Sequence, residues 1–145
     1  MGIHEKMMNI QTTLKAPKNL YNSFGNYKYR NAEGILEAVK PLLAENKMSM
    51  YITDDVQAVG DRVWVKATVQ VWDTETGEWV ETSALAREAV NKKGMDDSQI
   101  TGTASSYARK YALNGIFLLD DTKDADTDEN QKERKARADK QADDN

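Results

Sequence analysis

The chain has 145 residues, no cysteine, one histidine and a formal net charge of −4. That length suits one domain, or one domain with a tail. Without cysteine there is no disulfide, thiolate nucleophile, zinc ribbon or iron–sulfur cluster, and a lone His4 leaves histidine triads and multi-histidine metal sites without members.

Ile3, Met7, Ile10 and Leu14 form one helical stripe, which predicts a helix over residues 3–15. Pro17 stops it, because the residue before proline is pushed out of the helical region. Residues 19–30 read as loop or short strand. Asn31 is a plausible N-cap for a helix starting at Ala32, with Ile35, Leu36, Val39, Leu42 and Leu43 on its apolar side. Pro41 should kink that helix or tighten its last turn.

The period then changes to two. Met48, Met50 and Ile52 alternate with polar residues, and Val63, Val65, Ala67, Val69 and Val71 alternate with Trp64, Lys66, Thr68, Gln70 and Trp72. Residues 79–86 continue in β-prone types. Gly60-Asp61 and residues 74–77 read as the two turns of a three-stranded antiparallel meander. The valine row is its core face. The row of Trp64, Lys66, Thr68 and Trp72 is the second face, and its mixture of rings and polar groups is unusual for plain solvent exposure.

Residues 90–97 read as a polar loop. Asp97 or Ser98 caps a last helix that runs to about Asn114, with Gly115 as its stop. Ile100, Ala104, Tyr107, Ala108 and Tyr111 fall on one side of it, and Gly102, Ser105, Ser106, Arg109, Lys110 and Leu113 on the other. The order predicts an α+β fold: a three-stranded antiparallel β-meander packed with helices on one face. Residues 120–145 contain no large apolar residue and cannot bury enough surface to offset their ordering entropy. The expected division is residues 1–122 as the folded domain and 123–145 as a disordered, charged, acidic tail.

The net charge alone argues against nucleic acid, because phosphate binding needs cations. Its distribution changes that. Residues 1–119 hold 14 Lys+Arg and 14 Asp+Glu, whereas residues 120–145 hold 6 and 10, so the whole excess of −4 sits in the tail. Two stretches of the body lack carboxylates. Between Glu5 and Glu33 lie Lys6, Lys15, Lys18, Lys28 and Arg30, the last two interleaved with Tyr21, Phe24, Tyr27 and Tyr29. Cations track phosphates and rings stack on unpaired bases. The competing reading makes these rings core anchors. The second stretch, 98–119, holds Thr101, Thr103, Ser105, Ser106, Arg109 and Lys110, which suit an anion near a helix N-terminus. The competing reading makes the serines small for packing and the cations solvated. Lys66 and Arg87 extend a basic-aromatic surface if they share a face with Trp64 or Trp72; the alternative is a tryptophan pair buried between subunits.

No run approaches the ~18 apolar residues of a membrane span, and no secretory or myristoylation signal is present, so a cytoplasmic protein without membrane contact is expected. The aspartates from Asp120 to Asp128 lack the glycine and terminal glutamate of an EF-hand loop, and no metal site is expected. No phosphate-binding G-x-x-x-x-G-K-[ST] loop occurs, so neither ATP nor another cofactor is indicated.

Four segments carry a resemblance: KAPKNLYNSFGNYKYRNAEGILEAVKPLL (15–43), DRVWVKATV (61–69), ALARE (84–88) and GMDDSQITGTASSYARKYALNGIFLLDDTKDADT (94–127). Together they resemble the Erf family of phage recombination proteins, over nearly all of residues 3–127. Erf-family proteins are phage or prophage single-strand annealing proteins, grouped with eukaryotic annealing recombinases that share a β-meander-plus-helix (β-β-β-α) core and assemble into rings.

The resemblance implies ATP-independent binding of single-stranded DNA and pairing of complementary strands in the bacterial host cytoplasm. No covalent bond would change, so no enzyme activity is expected. It implies a homo-oligomer, ring or filament, and partners such as a host single-strand-binding protein or a phage exonuclease. By carry-over, Ser105, Ser106, Tyr107, Arg109 and Lys110 match the family's helix motif, and Lys28, Tyr29 and Arg30 its KYR motif. The expected DNA-binding residues are Lys28, Tyr29, Arg30, Ser105, Ser106, Arg109 and Lys110, with Lys66 and Arg87 from the meander, Arg109 and Lys110 first. Tyr27 and Tyr29 are stacking candidates, whereas Tyr107 and Tyr111 are expected in the core. The alternative function is a non-catalytic assembly factor that recruits partners through its tail.

Overall fold

A computed structural model describes residues 1–90 and 95–120. They fall into two compact units. One holds Met1–Ala16 and Asn31–Leu119; the other holds Pro17–Arg30 with Asp120. The expectations for residues 91–94, with Lys92, Lys93 and Gly94, and for the tail from residue 121 onward lie outside the described residues.

The larger unit is α+β. Helix α1 (Ile3–Thr13) buries the predicted stripe of Ile3, Met7 and Ile10, and Lys6 with it. Helix α2 (Ala32–Glu45) starts where Asn31 predicts. The Asn31 side chain accepts from the Gly34 N–H at 3.0 Å, satisfying one donor of the open first turn. The helix runs through Pro41, which lies on the exposed side; there water can meet the Glu37 carbonyl that proline leaves without a donor.

Numbering strands along the whole chain, the meander is β3 (Met48–Val59), β4 (Arg62–Asp73) and β5 (Trp79–Arg87), in that order and antiparallel throughout. Val59 pairs with Arg62, so Gly60-Asp61 is a two-residue turn. Its positive φ falls on Gly60 (62°), the type II′ pattern. Opposed residues share a face, so the register sorts the sheet. Val65, Ala67, Val69 and Val71 are buried beneath the helices as one core with Ile10, Ile35, Val39 and Phe117. Each large apolar side chain in that core contributes roughly 1.5–3 kcal/mol by leaving water.

Helix α3 (Asp97–Phe117) packs on β4 and β5. Its boundaries differ from expectation at both ends. Asp96, not Asp97 or Ser98, is the cap. Its carboxylate accepts from the Gln99 N–H at 2.8 Å, and the Gln99 side chain accepts from the Asp96 N–H at 2.9 Å. This reciprocal capping box is written in the spacing of Asp96 and Gln99. At the other end Gly115 stays inside the helix, and Leu118 takes the left-handed stop (φ 57°, ψ 43°). Ile116 and Phe117 are buried, and their burial carries the helix past glycine.

The smaller unit is a two-stranded antiparallel hairpin of β1 (Leu20–Asn22) and β2 (Tyr27–Tyr29). At its tip the Asn22 side chain accepts from the N–H groups of Phe24 (2.9 Å) and Gly25 (3.1 Å), and Phe24 is fully exposed.

Candidate functional site

The facing of α3 is decided by small residues. Ala104, Ala108 and Ala112 form an i, i+4 row against the sheet and are buried with Ile100. Tyr107 and Tyr111 flank that row and point outward, 48% and 39% exposed. This corrects their expected place in the core. Leu113, expected on the polar side, is fully buried, because α3 also meets α1 and α2, Gln11 of α1 donating to the Ile116 carbonyl at 2.9 Å.

Tyr107 and Tyr111 lie one turn apart, with ring centres at 6.0 Å. Lys110 sits between them, its Nζ 5.5 Å from the Tyr107 ring and 5.9 Å from the Tyr111 ring. Both distances are within cation–π range. The exposed Ser106 adjoins this group on the helix surface. The outer side of α3 therefore presents two rings and an ammonium together.

Arg109 and Ser105 lie on the other flank and meet Asp54 of β3. Arg109 Nε donates to Asp54 Oδ1 at 3.1 Å and Nη2 to Oδ2 at 3.3 Å, while Ser105 Oγ donates to Oδ2 at 2.5 Å. The stretch around Arg109 is free of acid in sequence but not in space. The same holds for Thr101, which donates to Glu88 at 2.7 Å, whereas Thr103 bonds back to the Gln99 carbonyl of its own helix at 2.8 Å. Lys6, from the first acid-free stretch, is buried against Asp73 (2.9 Å) and Glu75 (2.8 Å). Bonds to both carboxylates, Glu75 first, raise the Lys6 pKa above its ordinary value. The Lys6 ammonium in turn lowers those of Asp73 and Glu75.

Lys66 and Arg87 do share a face with Trp64 and Trp72, as the register requires. Arg87 lies over the Trp64 ring at 5.9 Å, and Asp55 stands directly across from Lys66. That face is opposite the one carrying α3, so these two cations are not brought together with Arg109 and Lys110. In the hairpin, Lys28 is exposed at the centre of β2, Tyr29 packs edge-on to Tyr27 at 6.2 Å, and Arg30 donates to the Asp120 carbonyl. Among the described residues, no group of three or more His, Asp or Glu is placed to hold a metal ion, and no helix is long and apolar enough to cross a membrane.

These arrangements make a sheet-and-helix scaffold that carries cations and aromatic rings on its outer side. The ERF superfamily model matches residues 3–145, and the chain belongs to that family. It is 52% identical over 138 residues to the essential recombination function protein of Salmonella phage P22, covering 95% of this chain and 65% of that protein. The chain thus spans just under two thirds of that relative's length. No solved structure matches it.

Proposed function

We propose that the chain acts in phage or prophage recombination by binding single-stranded DNA and annealing complementary strands without ATP. The observation that carries this reading is the outward-facing Tyr107–Lys110–Tyr111 group, with Ser106 beside it and Arg109 on the other flank of the same helix. It lies in the part of the sequence that most resembles annealing proteins. The name of the P22 relative supports the recombination role.

On this reading β3, β4, β5 and α3 form the β-β-β-α core of an annealing recombinase. Lys110 and Arg109 neutralise phosphates, and Tyr107 and Tyr111 give unpaired bases a place to stack. Lys28, Tyr29, Arg30 and the exposed Phe24 of the hairpin supply the same chemistry a second time. Several copies side by side would hold two strands at high local concentration, and pairing would follow with no bond broken. The site of action is the cytoplasm of the bacterial host.

The test is mixing the protein with complementary oligonucleotides in the absence of nucleotide and metal. Duplex should form faster than it does spontaneously. Unaccelerated pairing, with no binding to either strand, overturns the reading.

A further inference from the structure

The chain has three tryptophans, and none is in the core. Trp64, Trp72 and Trp79 all lie on the sheet face opposite α2 and α3. Trp72 and Trp79 stack across the strands at 5.4 Å and 20°. Around them Tyr51 (58%), Leu85 (47%) and Trp79 (46%) are exposed. Rings and leucine gathered on one open face mark an interaction surface.

Two features of the face say what kind of surface contacts it. Its polar groups already bond one another. The Thr68 and Ser83 hydroxyls meet at 2.8 Å, Gln70 Nε2 donates to Glu81 at 3.0 Å, and Trp72 Nε1 donates to Gln70 Oε1 at 3.2 Å. Such groups can leave water without losing their partners, so the usual penalty for burying polar atoms is reduced. Its charges also cancel. Lys66 and Arg87 are balanced by Asp55 and Glu81, so the face offers a phosphate backbone no net attraction.

The charges are placed self-complementarily. Arg87 and Glu81 lie on the same strand, six residues or about 20 Å apart. Turning a second copy about a two-fold axis across the strands, near residues 83–85, sets each Arg87 over the other copy's Glu81. The same turn brings the two Leu85 side chains near the axis. Contacts of this kind, one patch meeting itself, are the commonest in homodimers.

We infer that this tryptophan face binds the same face of a second copy, sheet against sheet. The inference goes beyond the strand-binding reading and holds whether or not α3 binds DNA.

All three tryptophans report this face, so intrinsic emission follows it directly. Emission of the wild-type protein should shift to the blue as concentration rises, in step with mass by light scattering. The chain lacks cysteine, so Ser83→Cys introduces a single thiol near the axis. On mild oxidation that variant should form a covalent dimer, whereas Ser106→Cys on α3 should not. Leu85→Arg should weaken self-association by about tenfold or more, with an unchanged circular dichroism spectrum. Emission and mass that stay constant on dilution, with the Ser83→Cys variant unlinked, would overturn the inference. So would quenching of the emission by an oligo-dT strand that also blocks labelling of the Ser83→Cys thiol, which would make the face a nucleic-acid surface.

Discussion

Lys6 Nζ lies 2.9 Å from Asp73 Oδ1, although 67 residues separate the two along the chain. The contact ties α1 to the end of β4, and Glu75 closes it from the solvent side. Both side chains are buried, so each makes the other's burial tolerable, and removing one strands the other.

The pH dependence of this contact follows from the directions of its pKa shifts. Asp73 is held below its ordinary 3.8 and Glu75 below 4.5, so their contribution is complete above those values and is lost as pH falls through the lowered ones. Lys6 is held above its ordinary 10.5, so its contribution is complete below that value and fades only as pH rises through the raised one. Urea midpoints should therefore fall in acid and again in strong alkali. Asp73→Asn should lower the midpoint at neutral pH and flatten the acid limb. A neutral-pH midpoint equal to wild type would show that the contact does not stabilise the fold.

The path of α3 through Gly115 makes an opposite prediction for two glycines. A Cβ at Gly102 meets nothing within 4 Å, and one at Gly115 meets only Thr82 Oγ1 at 3.9 Å. Both sit in a helix interior, where glycine costs roughly 0.5–1 kcal/mol relative to alanine. Gly102→Ala and Gly115→Ala should each stabilise by about that amount. Phe117→Ala, two residues beyond, removes a fully buried ring and should cost about 3–5 kcal/mol. Urea unfolding followed by circular dichroism distinguishes the three.

On α3 the rings and the cation should separate by assay. Tyr107→Ala and Tyr111→Ala should each weaken oligo-dT binding by about 1–3 kcal/mol with little change in salt dependence. Lys110→Ala should lower the slope of log affinity against log salt by about 0.7, the contribution of one phosphate on a single strand. If both kinds of variant bind as wild type does, α3 is not the strand-binding surface.

If α3 binds a strand as proposed, Asp54, which holds Arg109 and Ser105, would compete with phosphate for them. Asp54→Asn leaves the shape and removes the charge, so strand affinity at low salt should rise a few-fold, and the gain should vanish in the background of Arg109→Ala. The pair is partly exposed, so fold stability should move by about 1 kcal/mol or less. Weaker binding by Asp54→Asn would make the carboxylate a support for Arg109 rather than its competitor.

What the sequence could disclose was local. The cap at Asn31, the turn at Gly60-Asp61 and the alternation from Val63 to Val71 each depend on neighbours a few residues away, and each stands in the structure as written. The partners of the cations were not legible. Lys6 and Arg109 find Asp73 and Asp54 across the fold, so a stretch without acid in sequence says little about charge in space. Helix periodicity placed Tyr107 near the buried side, within about a sixth of a turn of Ala104. Only the close approach allowed by the alanines decides that the rings stay outside. Likewise the burial of Phe117, a tertiary effect, carries α3 beyond the glycine that local rules take as its end.

The alanine row of α3 has a consequence for genetics. Ala104, Ala108 and Ala112 set the height of the helix above the sheet, and Arg109 reaches Asp54 only at that height. A larger side chain at Ala108, fully buried, would lift the helix and move Tyr107, Lys110 and Arg109 together. A screen for binding-defective variants should therefore return hits at these buried methyl groups as often as at the half-buried cations. Those hits would be misread as folding defects unless their thermal stability were measured beside their affinity.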